Sequence, residues 1–289
     1  MPSRRLLSLA LVVLTLAAAP GKAAEVRDGY GLAVFRSRFY EVHTNLEPDR
    51  VRPFAEHMDL VFAHFSKRFS GFEARRSERM PLFLLRTEAD YHRLLERIGI
   101  DSAGSSGLFF RRGEVGGLAT WIEDKPPHRT LQTLQHEGFH QFAWAYIGRL
   151  PLWLNEGLAE YFELSRLAGR KMTTGYSEAG RIDRVREAIR EGRALSLREL
   201  VATTGKAWRE TVAEDPAAGR LLYDQSWSVV YFLIHAAEGR YQEPFERYLL
   251  LLSEGESSSA AFREAFGADH IGEADRHWRY YAMTQQPRE

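Results

Sequence analysis

The chain has 289 residues, of which 44% are hydrophobic and 12% aromatic. This is enough apolar material to bury a substantial core in one mixed domain or in two closely packed subdomains. Basic and acidic residues number 39 each, so the overall charge does not favour a nucleic acid or an acidic membrane surface as a partner. The sequence contains no cysteine, which excludes disulfides, thiol catalysis and cysteine metal ligands.

The amino terminus has the pattern of an export signal. Two arginines precede an apolar run at residues 6–19, and a stretch of small residues follows at 17–24. We therefore expect a signal peptide over residues 1–24 and a periplasmic or extracellular mature protein. Pro20 and Lys22 interrupt the small-residue pattern, so an uncleaved membrane anchor is the alternative, although the apolar run is short for a spanning helix.

The next part of the chain alternates predicted strands and helices. Residue patterns predict a strand at 38–44, a helix around 51–65 that Pro53 joins near its first turn, a strand at 80–85, a helix capped by Thr87 that extends to Ile98, and a hairpin of strands at 108–110 and 118–122. A mixed β-sheet with helices is the expected N-terminal lobe.

Helices dominate the rest of the predicted structure. One is expected at 129–146 and a second at about 152–167, followed by a glycine-containing loop at 169–175. Apolar stripes at helical spacing continue beyond that loop, and Ser196 with Glu199 forms a capping-box pattern. The expected class is α+β, with an αβ lobe at 25–168 and an all-helical subdomain at 176–285 that closes a cleft.

The first predicted helix of this part carries the sequence His-Glu-Gly-Phe-His at 136–140, an HExxH motif. Residues four apart on a helix project from the same side, so His136 and His140 can reach one ion. Glu137 is rotated about 100° from His136. It is therefore placed to accept a proton from water that a metal has acidified, and is the candidate general base.

A second segment, WLNEGLAEYFE at 153–163, carries two carboxylates four residues apart, Glu156 and Glu160. A third metal ligand is expected in this helix. Together with HEGFH, the segment resembles the gluzincin metallopeptidases, the family of thermolysin and aminopeptidase N. The resemblance implies a zincin-like fold with an active-site helix pair, one zinc ion and Glu156 as the third ligand, with Glu160 as the alternative.

The same resemblance suggests roles for three further residues. Glu160 is expected to orient a zinc-bound imidazole by accepting a hydrogen bond from the ring N–H that does not face the zinc. Asn155 supports the ligand helix or caps it. Tyr223, at the start of the segment YDQSW, either donates a hydrogen bond to the oxyanion of the tetrahedral intermediate or packs as an ordinary amphipathic aromatic residue.

Two weaker patterns complete the site prediction. Residues 117–121 occupy the place in the chain where zincins carry the edge strand that pairs with substrate, although a hairpin strand without that role fits equally well. His235 lies on the helix after Tyr223, where packing is a more common role than catalysis.

The order of elements resembles the peptidase MA-like domain. The expected function is a zinc metallopeptidase acting on a peptide or protein, with no nucleic-acid partner and no membrane contact beyond an N-terminal anchor. The sequence lacks a GAMEN-type stretch for holding a free amino terminus, which favours an endopeptidase or a specialised amidase. The alternatives are a zinc-binding scaffold or pseudopeptidase, and an amidase acting on a non-peptide or cell-wall amide.

Overall fold

A computed structural model of the chain describes residues 28–72, 78–112, 115–268 and 270–288. The predicted export signal at 1–24 lies outside these ranges. Within them, no helix combines the length and apolar character that crossing a membrane requires.

The described parts of the chain form an α+β fold, with a mixed sheet first and helices after it. The strands are β1 (Ala33–Arg36), β2 (Tyr40–Thr44), β3 (Met80–Leu85), β4 (Gly107–Arg112), β5 (Val115–Trp121), β6 (Arg166–Ala168) and β7 (Lys171–Thr173). The α-helices are α1 (Pro48–Arg68), α2 (Glu88–Arg97), α3 (Pro127–Phe142), α4 (Leu152–Glu163), α5 (Ala179–Arg190), α6 (Leu197–Ala202), α7 (Gly205–Glu214), α8 (Pro216–His235), α9 (Gln242–Ser253), α10 (Ser258–Phe266) and α11 (Ile271–Thr284).

The larger sheet of the described residues has the strand order β1-β2-β3-β5-β4. Its three inner strands are parallel, with Val42 beside Leu82 and Leu84 beside Thr120, and an antiparallel strand lies at each edge. Strand β3 (MPLFLL) is nearly continuous in apolar residues, as expected of a central strand covered on both faces. The predicted mixed sheet is therefore confirmed.

Of the two alternatives for residues 117–121, the edge strand is wrong and the hairpin strand without that role is confirmed. These residues belong to β5, which pairs with β3 on one side and with β4 on the other, so both of its edges are occupied. The preceding strand of the hairpin, β4, forms the outer edge instead. Order along the chain does not decide which strand of a hairpin turns outward, because either strand can pair with the rest of the sheet.

The boundaries of the two motif helices differ from the prediction. Helix α3 ends at Phe142 and continues as a π-helical turn, Ala143–Ile147, which Gly148 closes with a φ of 107°. A positive φ of this size suits glycine because it has no Cβ. The turn separates α3 from α4, so the predicted helix at 129–146 contains two different kinds of helix.

Helix α4 ends at Glu163 rather than near residue 167. Gln135 of α3 donates its side-chain N–H to the carbonyl oxygens of Phe162 at 3.0 Å and Glu163 at 2.7 Å. These bonds satisfy carbonyl groups that a helix terminus leaves without intrahelical partners. The predicted loop at 169–175 is also partly wrong, because its middle forms β7, paired with β6.

One large cluster of buried apolar residues extends from the sheet lobe into the C-terminal helices. It includes Val42 of β2, Phe139 of α3, Leu158 of α4 and Trp227 of α8, each at most 1% exposed. Ser196 and Glu199 form the predicted capping box at the start of α6. Helix α4 is thus surrounded by core from both parts of the chain, and its polar residues are held in place by that packing.

Candidate metal centre

The structure brings His136, His140 and Glu156 together. The two histidines lie one turn apart on α3, with ring centroids 4.9 Å apart. One carboxylate oxygen of Glu156, on α4, lies 3.6 Å from Nε2 of His136 and 3.5 Å from Nε2 of His140. The three ligand atoms lie within 4.8 Å of one another and could hold a metal ion.

The electrostatics of this group reflect its close spacing. Burial alone would lower the pKa of the His136 and His140 imidazoles, but the neighbouring carboxylates, chiefly Glu156, raise both. Burial alone would raise the pKa of Glu156, but the two histidines bring it well below its usual range. The site therefore favours positive charge next to its carboxylates, which is the charge that a metal cation supplies.

Glu163, rather than Glu160, contacts the remaining nitrogen of His136. Its carboxylate lies 3.2 Å from Nδ1 of His136, and this contact leaves Nε2 directed at Glu156. Carboxylates that bind the free N–H of a metal-ligating histidine fix the orientation of its ring. The structure thus gives Glu163 the contact that the sequence predicts for Glu160.

Glu160 instead forms an ion pair with Arg181 of α5. Arg181 also lies 3.4 Å from Asp224 of α8, and Arg184 makes two bonds to the same carboxylate, at 2.6 and 3.0 Å. Asp224 is only 3% exposed. This network joins α4, α5 and α8 beside His136, His140 and Glu156, which we call the metal-capable group. Because the carboxylate of Glu160 is already paired with an arginine, it is less available to a metal.

Within the described residues, a second group with ligand-like spacing consists of His136, Glu160 and Glu163. It shares His136 with the first group, and its acids are those that contact Arg181 and Nδ1 of His136. These contacts give its members structural partners, so the set with Glu156 is the better candidate for a metal ion.

Glu137 follows His136 on α3 and turns towards the sheet. Its carboxylate accepts a hydrogen bond of 2.7 Å from the backbone N–H of Phe109 in edge strand β4. The negative charge of Glu137 raises the pKa values of both His136 and His140, which indicates proximity to the two rings. Glu137 thus lies between the metal-capable group and the sheet edge.

Tyr223 lies near the same acids, at a position where α8 passes α4. The pKa of its phenol is raised to about 12, chiefly by burial and also by the negative charges of Glu156, Glu160 and Glu137, against a lowering contribution from a hydrogen bond with Trp208. The phenol therefore stays protonated at neutral pH. Its ring packs edge-on against Trp208, with centroids 5.3 Å apart, as the packing alternative predicts, and the role of hydrogen-bond donor stays a prediction.

Asn155 and His235 have simpler positions. Asn155 lies inside the first turn of α4, whose N-cap is Pro151, so the alternative that Asn155 caps the helix is wrong. Nε2 of His235 lies 2.9 Å from the hydroxyl of Tyr161, consistent with the predicted packing role.

Sequence reasoning missed Glu163, Arg181 and the Phe109 N–H. The sequence pattern could have identified Glu163, because residues 156, 160 and 163 recur at intervals of four and three and so share one helical face. Arg181 and Phe109 come from other elements, and their approach to the site depends on packing that a local pattern does not encode.

The sequence from 130 to 253 matches the family described as Protein of unknown function (DUF1570). This stretch includes the HExxH segment, helix α4 and helix α8 with Tyr223. A comparison with curated proteins found no match. The similarity therefore covers the metal-capable group, and the description of the family assigns no chemistry to it.

Proposed function

We propose that the protein is a zinc-dependent peptidase whose metal is held by His136, His140 and Glu156. The convergence of Nε2, Nε2 and a carboxylate oxygen carries this proposal. A tetrahedral zinc with bonds of about 2.0–2.2 Å separates its ligand atoms by roughly 3.3–3.6 Å. The distances of 3.5 and 3.6 Å from Glu156 to the two imidazoles fit that arrangement.

Three protein ligands are typical of catalytic zinc sites, which keep a further position for water or substrate, whereas structural sites usually have four. When bound, zinc would supply a Lewis acid that polarises a carbonyl group and lowers the pKa of water. Two imidazoles and one carboxylate, with no cysteine in the chain, form a common catalytic ligand set for zinc.

Glu137 is the proposed general base. Its carboxylate accepts the proton of the attacking water and then passes it to the leaving amine, which balances the hydrolysis of an amide bond. The Phe109 N–H bond fixes the carboxylate at the sheet edge. The phenol of Tyr223 stays protonated and is the proposed hydrogen-bond donor to the developing oxyanion.

The position of Glu137 at edge strand β4 favours an extended peptide as the substrate. The N–H of Phe109 points away from β5, since it donates to Glu137. Backbone groups repeat their direction every second residue along a strand, so the peptide group of Arg111 faces the same side. A peptide that added to β4 would place its backbone beside Glu137, and its recognition would use main-chain hydrogen bonds.

The decisive experiment combines metal content with cleavage of a peptide library. We expect one zinc per chain in the wild type, and hydrolysis that falls by at least about a hundredfold in Glu137→Gln, with metal retained. Glu210→Gln is the matched control, since Glu210 is exposed and pairs only with Lys206 among the described residues.

The other outcomes separate the alternatives. Zinc binding without cleavage of peptides or of cell-wall amides would favour a scaffold, and cleavage of wall fragments alone would favour an amidase. Full activity in Glu137→Gln would defeat the mechanism.

A further inference from the structure

A cavity of about 870 Å³ lies behind α4, on the side away from the metal-capable group. Its apolar floor consists of the half-buried residues Leu60, Ile234 and Leu250, which keep accessible surface, and of the buried residues Leu158, Phe162, Phe245 and Leu249 beneath them. None of the described lining residues belongs to the group His136, His140 and Glu156. The volume falls within the range of roughly 300–1,000 Å³ that is typical of small-molecule sites.

The mouth of this cavity is strongly basic. Lys67, Arg68, Arg170 and Lys171 line it, and the acid among the described lining residues is Glu246. Four cations and one carboxylate give a net charge of +3, whereas the whole chain has a net charge of zero. Glu246 lies 3.2 Å from Arg68, so that one ion pair leaves most of the positive charge uncompensated by the lining.

The pKa of His64 responds to the same positive charges. It also lines the cavity, and its ring lies edge-on to Phe162 with centroids 6.3 Å apart. Burial lowers the pKa of His64, and the positive charges of Arg68 and Lys67 lower it further. The charges at the mouth therefore act on groups inside the cavity as well as on the solvent.

We propose that this cavity binds a single-chain anionic amphiphile, such as a long-chain carboxylate. Its alkyl chain would cover the half-buried floor residues Leu60, Ile234 and Leu250, and its head group would lie among the four cations. A small inorganic anion would leave the apolar floor uncovered, and a neutral apolar molecule would leave the cations without a partner. The proposal does not depend on the hydrolytic function.

Calorimetric titration of the full chain with straight-chain carboxylates tests this assignment. We expect saturable binding of dodecanoate, and an affinity that rises by roughly threefold to fourfold for each methylene added from octanoate to dodecanoate. Dodecanol has the same chain without the charge, and we expect it to bind at least about tenfold more weakly, because it leaves the cations unpaired.

Two variants with different mechanisms locate the site. Ala63→Trp places a large ring at an exposed lining position, and Lys171→Glu reverses a charge at the mouth. Both should weaken dodecanoate binding at least tenfold while the melting temperature stays close to that of the wild type. Lys206→Glu is the matched charge control, since Lys206 is 81% exposed and lies outside this cavity.

The assignment is overturned if dodecanoate shows no saturable binding, if affinity is independent of chain length, or if dodecanol binds as tightly. It is also overturned if both lining variants bind as the wild type does. Binding to anionic lipid vesicles without binding of free dodecanoate would point to a membrane surface and would likewise reject the cavity.

Discussion

Gly157 of α4 lies against the backbone of Ser226 in α8. A Cβ atom at residue 157 would be 2.6 Å from the carbonyl oxygen of Ser226 and 2.9 Å from a methyl group of Val230. Backbone cannot move aside as a flexible side chain can, so α4 and α8 approach this closely only with glycine at 157. The contact fixes the position of α4, which carries Glu156, relative to α8, which carries Tyr223.

Gly157→Ala should therefore force α4 and α8 apart. We expect a loss of roughly 1–3 kcal/mol in the free energy of unfolding, the usual effect of overpacking, together with weaker zinc binding because Glu156 moves from the histidines. Urea unfolding and metal competition measure the two effects.

Gly180→Ala is the control for helix propensity. Residue 180 is also helical, and the nearest atom to its added Cβ is the flexible end of Arg184, at 3.6 Å. We expect a stability equal to that of the wild type or up to about 1 kcal/mol higher. If Gly157→Ala behaved in the same way, the close approach of α4 and α8 would not be required.

Substitutions of Glu163 and Glu160, the two acids near His136, should differ in their effects on zinc affinity and stability. Glu163→Gln removes the carboxylate that orients the imidazole, and we expect zinc affinity to fall by roughly 10-fold to 100-fold with little loss of stability. Competition with a chromogenic chelator gives the affinity. Glu210→Gln again serves as the control.

Glu160→Gln should mainly lower stability and not zinc affinity. It leaves Arg181 with Asp224 as its acidic partner, and losing a charged hydrogen bond in a nearly buried site should lower the free energy of unfolding by roughly 1.5–3 kcal/mol. Metal affinity should change much less than in Glu163→Gln. The reverse pattern, with metal lost only in Glu160→Gln, would restore Glu160 as the residue that orients His136.

Local patterns predict much of this fold and part of the candidate site. HExxH spacing places His136 and His140 on one helical face, and the alternation of strands and helices predicts the mixed sheet. The predicted strands at 108–110 and 118–122 are both apolar, so the prediction could not distinguish outward β4 from inward β5. Arg111 and Arg112, which extend β4 beyond the predicted segment, are charged residues of the kind that edge strands carry. The contact between Glu137 and Phe109 depends on that choice, so it could not be predicted either.

Helix α4 shows the same limit of prediction from sequence. Its acids at 156, 160 and 163 share a face, but the sequence does not say which acid meets a histidine and which meets an arginine. Arg181 decides this by pairing with Glu160, and Arg181 reaches the site only through the packing of α5 against α8. Partners that arrive from distant parts of the chain determine the roles of otherwise equivalent carboxylates.

Tyr223→Phe tests the proposed oxyanion donor. Loss of one such donor should lower kcat by roughly 10²–10³-fold, while zinc content and stability stay near those of the wild type. Tyr231→Phe is the matched control on the same helix, because its hydroxyl donates to the carbonyl of Gly175 at 2.9 Å and so has a structural partner. Equal kcat values for Tyr223→Phe and the wild type would leave Tyr223 with a packing role.

Buried tyrosines should make the protein sensitive to alkali. Burial raises the pKa of Tyr91 and Tyr281 to about 12. For Tyr40, which is 0% exposed, burial and then the charge of Asp59 raise the pKa still further. Unfolded tyrosine ionises near pH 10, so these groups contribute full stability below about pH 10 and lose it as the pH rises towards their folded values.

Tyr40→Phe isolates one of these groups. The Tyr40 hydroxyl has no hydrogen-bond partner among the described residues, so its removal should leave stability at neutral pH unchanged or slightly increased. Above about pH 10, each such phenol contributes up to about 1.4 kcal/mol of lost stability per pH unit, and the variant should lose correspondingly less than the wild type. Urea unfolding at about pH 9 and about pH 11 measures the difference, with Tyr280→Phe as control because Tyr280 is 73% exposed. Parallel losses in wild type and Tyr40→Phe would show that solvent reaches the Tyr40 phenol in the folded state.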